Sequence, residues 1–153
     1  MASISNKRLA KELASIHEHG CPEGIKLLQA DDLKTWFLSL EILGESLYKG
    51  EVFALRFTFG PRYPIESPEV VFVVNDTYQA PIHPHIYSNG HICASILGNE
   101  WSPVLNTSSI CLTLQSMLAS CKKKERPEGN DRYVKTAPLS PKNTHFLYED
   151  DTV

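Results

Sequence analysis

Residues 83–93 read HPHIYSNGHIC and bring His83, His85, His91 and Cys93 into one short stretch. These are three of the chain's six histidines and one of its four cysteines, side chains that ligate metals, move protons or attack carbonyls. Three chemistries compete for them. A zinc site has suitable ligand types, but the pairs are spaced HxH and HxC instead of with the longer gaps of zinc folds, and no carboxylate flanks them as an outer partner. A structural reading makes Cys93, between Ile92 and Ala94, a small buried hydrophobe and has the histidines satisfy backbone groups. A nucleophilic reading lets the Ser88-Asn89-Gly90 turn return Cys93 to the His-Pro segment, where imidazoles and backbone amides would assist chemistry at a thioester carbonyl. Spacing alone leaves the last two open. Cys111 and Cys121 fall on apolar positions of a helical pattern, and Cys21 stands beside Pro22, so all three read as bystanders.

The elements around this stretch follow from periodicity. Residues 75–105 have none, and so long an irregular segment in a small domain is commonly functional. Residues 77–121 hold a single charged side chain, Glu100, and six of the ten prolines lie between Pro61 and Pro103. Upstream, Leu9, Leu13 and Ile16 predict an amphipathic helix over residues 5–19, stopped by Gly20, Pro22 and Gly24. Residues 25–30 read as a short strand. Residues 35–42 alternate through Trp36, Leu38, Leu40 and Ile42, and residues 52–59 through Phe53, Leu55, Phe57 and Phe59, the period of half-buried strands joined by a hairpin. After a turn segment at 60–68, VVFVV (70–74) is a further strand. Downstream, Ile110, Cys111, Leu114, Met117, Leu118 and Cys121 recur at helical spacing, with Asn106, Thr107 or Ser108 as cap. The order predicts an α+β domain: N-terminal helix, four-stranded antiparallel meander, long loop, second helix and tail. No glycine-rich phosphate loop is present in the sequence.

Composition bounds the function. The 153 residues, 42% hydrophobic and 22% charged, suit one globular domain. A formal net charge of −3 gives no footing for nucleic acid. The longest apolar run, Val70 to Val74, falls far short of the about 20 residues of a membrane helix. The start, MASISNKRLAKEL, turns charged too early for a signal peptide. The four cysteines then read as reduced intracellular thiols. Neither a membrane nor a nucleic-acid partner is expected.

The motifs, taken in order, resemble the ubiquitin-conjugating enzymes. The matching pieces are KRLAKEL (7–13), LYKGEVFALRFTF (47–59), RYPIESPEV (62–70), HPH with SNGHIC (83–93), SIL (95–97) and WSPVL (101–105). Within the family the chain is most similar to the W-type, which modifies protein N-termini and shares His after His-Pro and a YV…DDT tail. The resemblance implies the family fold over a core of residues 1–125; the family usually adds two packed helices, but residues 127–153 lack their period and are interrupted by Pro127, Pro138 and Pro141, so 126–153 is expected to be a flexible tail. It implies that Cys93 takes ubiquitin from an activating enzyme as a thioester and passes it to an amine with a RING or U-box-type ligase, with His83 and His85 as further catalytic-loop residues. No cofactor is implied, ATP being consumed upstream. The carried-over ligase contacts are Lys7, Arg8, Ile65, Pro103 and Val104.

The departures from the family pattern point to the acceptor. Asn after His-Pro is replaced by His85, the usual Asp after the cysteine by Ser95, and the acidic loop beyond the second helix by Lys122-Lys123-Lys124-Glu125-Arg126. A lysine amine titrates near ~10.4 and an α-amine near ~7.7–8.0, so at neutral pH the free-base fraction is roughly two hundred times or more larger for the α-amine. Such an acceptor has less need of a resident carboxylate, and substrates with free N-termini are expected. The rivals are lysine-directed conjugation, another ubiquitin-like modifier, or a non-catalytic module that binds ubiquitin or a partner. Localisation is expected to be cytoplasmic, with KKKER (122–126) read as a solvated charge run or, second, as a nuclear-import signal.

Overall fold

Alternating apolar residues set the sheet. In β2 (Thr35–Glu41) and β3 (Val52–Thr58), Trp36, Leu38 and Leu40 pair with Phe57, Leu55 and Phe53 and bury one face. β1 (Ile25–Gln29) and β4 (Glu69–Phe72) complete an antiparallel sheet in the order β1-β2-β3-β4. The computed structural model describes residues 3–144. β4 ends at Phe72 although the apolar run continues to Val74. Asn75 ends it, because its side-chain oxygen accepts from the amides of Thr77 and Tyr78 at 2.8 Å each and bends the chain away.

Two helices flank the sheet's ends and face. α1 (Ile4–His19) starts on Ser3, whose hydroxyl accepts from the Asn6 amide at 3.0 Å, and buries Leu9. α2 (Thr107–Ala119) starts on Asn106 in a reciprocal box with Ser109 and buries Ile110, Cys111, Leu114 and Leu118. Each such aliphatic side chain contributes about 1.5–3 kcal/mol by leaving water. Gln115, on the same face, donates to the carbonyls of Glu23 and Glu41 at 3.0 Å each, which fixes α2 against both ends of the first hairpin. The predicted α+β order is therefore the observed one.

Beyond residue 127 the sequence shows no period, and no helix is expected there. The structure places α3 at Asn130–Thr136 and a 3-10 turn at Pro141–Asn143. None of the α3 residues is buried, so its contacts leave no apolar stripe to read. Residues 145–153, with the DDT end of the expected tail, lie outside the described residues.

Candidate active site

The irregular segment folds into a small hairpin of its own. Isolated bridges pair His83 with Ile86 and Ile86 with Ile92. The Tyr87 amide donates to the His91 carbonyl and the Gly90 amide to the Tyr87 carbonyl, both at 2.9 Å. Gly90 lies flat on β4: its carbonyl accepts from the Phe72 amide at 2.9 Å, its φ is +93°, and a Cβ there would sit 2.1 Å from the Phe72 carbonyl oxygen. The returning limb then places the Cys93 amide 2.8 Å from the His85 carbonyl, which accepts from it. Cys93 and the His-Pro segment are thus neighbours through the backbone.

The histidines have different partners. His83 is fully buried, and its Nδ1 accepts from the His85 amide at 2.9 Å. Burial, with the His85 imidazole second, pushes its pKa down to about 4 against the weaker pull of the Met117 carbonyl. A neutral ring accepting at Nδ1 carries its proton on Nε2. The buried His85 ring packs edge-on against it, centroids 5.7 Å apart. His91 turns away, its Nδ1 2.8 Å from the Tyr133 hydroxyl, and burial lowers its pKa as well. Among the described residues no three His, Cys, Asp or Glu side chains converge as metal ligands.

Of the four thiols, Cys111 and Cys121 are buried while Cys21 and Cys93 are half-buried. Burial pushes Cys111 up to about 12, and burial also raises Cys21. The Cys121 sulfur accepts from the Tyr48 hydroxyl and donates to the Lys123 carbonyl at 3.3 Å each. The phenols of Tyr87 and Tyr133 lie close enough to Cys93 that charge on its sulfur raises the pKa of each, after burial. Glu100, the single acid of residues 77–121, accepts from the Ser95 hydroxyl at 2.8 Å.

Several contributors escape a reading of the sequence. Arg126, at the end of the basic run, donates to the carbonyls of Ala80, Pro81 and Ile86 at 2.7–3.2 Å and pins the first limb of the hairpin. Asn130 and Tyr133 of α3 hold its turn. Tyr87 lies inside the irregular loop, but its ring partner Tyr133 comes from over forty residues downstream, and such contacts carry no local signal.

The carried-over ligase positions occupy α1 and two loops that are bonded together. Lys7, Ile65, Pro103 and Val104 are exposed, Ile65 to 62% and Val104 to 84%. Arg8 is half-buried and donates to the carbonyls of Pro103 and Leu105 at 2.8 and 2.7 Å. Trp101 donates to the Pro64 carbonyl at 2.9 Å. Glu12 accepts from Arg8, from the Tyr63 hydroxyl, and from both the amide and hydroxyl of Thr107. One carboxylate thus joins α1, the loop after β3 and the start of α2.

Comparison with known proteins points to one family. The family model described as ubiquitin-conjugating enzyme matches residues 8–142. The probable ubiquitin-conjugating enzyme E2 W-A of Danio rerio is 47% identical over 155 residues, 99% of each chain. The ubiquitin-conjugating enzyme E2 W of Caenorhabditis elegans is 46% identical over 156 residues, the whole of both. Among solved structures, the ubiquitin conjugating enzyme E2 UbcA1 from Agrocybe aegerita matches with a TM-score of 0.90 at 61% identity, over 92% of this chain and 99% of that one.

Proposed function

The chain belongs to the ubiquitin-conjugating enzyme family, and from that premise we propose that it carries ubiquitin on Cys93 and delivers it to substrate N-terminal α-amines. In the first step the Cys93 thiolate attacks the thioester that ubiquitin forms with its activating enzyme, and the enzyme's own thiol leaves. In the second the free-base amine attacks the Cys93 thioester carbonyl, the C–S bond breaks, an amide forms and the amine loses a proton. A thiolate suits both steps, since it is nucleophilic when ionised and leaves more readily than an alkoxide. No cofactor enters either step; ATP is consumed by the activating enzyme.

The observation that carries this reading is the placement of Cys93 on the hairpin's return limb, half-buried, with its amide tied to the His85 carbonyl. Two facts support the choice of amine. The acid of residues 77–121, Glu100, is engaged by Ser95, and full-length relatives at 46–47% identity bear the W name. Ubiquitin, the activating enzyme, a RING or U-box-type ligase and substrates with free N-termini are the partners in this reading. The ligase surface is drawn over Ile65, Pro103, Val104 and Lys7, all exposed, with Arg8 beneath them. The compartment in this reading is the cytoplasm, with KKKER (122–126) first a solvated charge run and only second a nuclear-import signal.

The test combines the protein with activating enzyme, ATP and ubiquitin. A thiol-reducible adduct is expected that Cys93→Ala abolishes and Cys111→Ala leaves. The charged protein is then offered a lysine-free peptide with a free N-terminus beside its N-acetylated twin. Discharge with the free peptide alone is expected, and equal rates with both would refute α-amine transfer.

A further inference from the structure

The seven residues of α3 bury nothing of their own, yet two of them grip the turn before Cys93. Asn130 and Tyr133, three apart, share a helix face. The Asn130 side-chain oxygen accepts from the Ser88 amide at 2.9 Å, and its amide group donates to the Ser88 hydroxyl at 3.1 Å. The Tyr133 ring lies on that of Tyr87, centroids 3.9 Å apart at 30°, and its hydroxyl shares hydrogen bonds with His91 Nδ1 at 2.8 Å and the Thr144 hydroxyl at 3.1 Å. Residues 87, 88 and 91 are therefore held from outside by α3, while Gly90 is seated on β4 from inside. The turn has no room to rock without breaking one side.

We propose that Tyr133 is a positioning residue for the transfer step: by closing on Tyr87 and His91 it fixes the turn that presents Cys93 to the acceptor. This rests on the thioester reading above and adds that a residue of the C-terminal segment governs its second half. Charging needs the sulfur to meet a partner enzyme's thioester, which brings its own alignment. Transfer to a small amine depends more on how firmly the thioester carbonyl is held, because misalignment of about 1 Å costs on the order of a hundredfold. Loss of the ring frees the turn and is expected to open the half-buried Cys93 to small reagents, so the two effects run in opposite directions.

The experiment uses the full chain with Tyr133→Phe and Tyr133→Ala. Three quantities are read: charging, single-turnover discharge against concentration of the free-N-terminus peptide, and iodoacetamide alkylation of Cys93 with Cys111 as internal control. For Tyr133→Ala, charging is expected within about twofold of wild type and maximal discharge about tenfold slower, at an unchanged half-saturating peptide concentration. Alkylation of Cys93 is expected to rise about threefold while Cys111 stays protected. Tyr133→Phe keeps the ring but not the hydroxyl, and falls between at about twofold to threefold slower discharge; it decides the matter if the alanine variant does not fold. Wild-type discharge in the variants, a raised half-saturating concentration with an unchanged maximum, or alkylation of Cys111 in step with Cys93 would overturn the proposal. A wild-type protein that never charges refutes the thioester reading instead, and the alkylation comparison still decides whether Tyr133 holds Cys93.

Discussion

His83 makes the loop's integrity depend on a ring that stays uncharged. Its folded pKa of about 4 lies below the ordinary histidine value of 6.5, so the unfolded chain takes up the proton first as pH falls. The stability it supplies is complete above pH ~6.5 and is lost progressively towards pH 4, on the order of 3 kcal/mol at the lower end. His91, lowered by burial, adds in the same direction. Asp32, whose carboxyl is held down by the amides of Thr35 and Lys34, acts at lower pH, its contribution being lost from the ordinary carboxylate range downward. Urea midpoints are therefore expected to fall between pH 7 and 4.5, and His83→Gln is expected to flatten that slope. An equal slope in the variant would assign the loss to other groups.

At the level of elements, the exposed tips of the proposed ligase surface and the bonds that mount them belong to different residues. Ile65 and Val104 touch solvent, whereas Arg8 and Glu12 tie their loops to α1 and α2. Ile65→Ala and Val104→Ala are expected to change stability by less than about 0.5 kcal/mol while lowering ligase-stimulated discharge. Arg8→Ala removes charge-assisted bonds to two carbonyls and to Glu12, and is expected to cost about 2 kcal/mol in denaturant titration. The same contrast explains what was legible in the sequence. β2, β3 and α2 bury one face and so write their period into the chain, and the chemistry of residues 83–93 shows in their types. Glu12, Arg126 and Asn130 act through polar contacts to distant backbone, for which no local pattern exists; Arg126 looked like one more member of a basic run. α3 stayed hidden for the same reason.

For the whole molecule, charge is scarce along the stretch of chain that holds Cys93. Both flanks are richly charged, while residues 77–121 carry Glu100 alone. If the acceptor must arrive already deprotonated, its own titration sets the pH dependence. Discharge to a free-N-terminus peptide is expected to rise through pH 7 and level off above about 8, the α-amine range, whereas a lysine-only acceptor would keep gaining towards about 10. Stopped discharge assays across that range distinguish the two. The separation of tips from mounts has a further consequence, for descent. Because the Glu12 frame is closed on itself, substitutions at the exposed Ile65 or Val104 are expected to redirect partner choice on the proposed ligase surface without disturbing the hairpin that carries Cys93. On that proposed surface, drift at two side chains would be enough to exchange ligases while the chemistry is inherited unaltered.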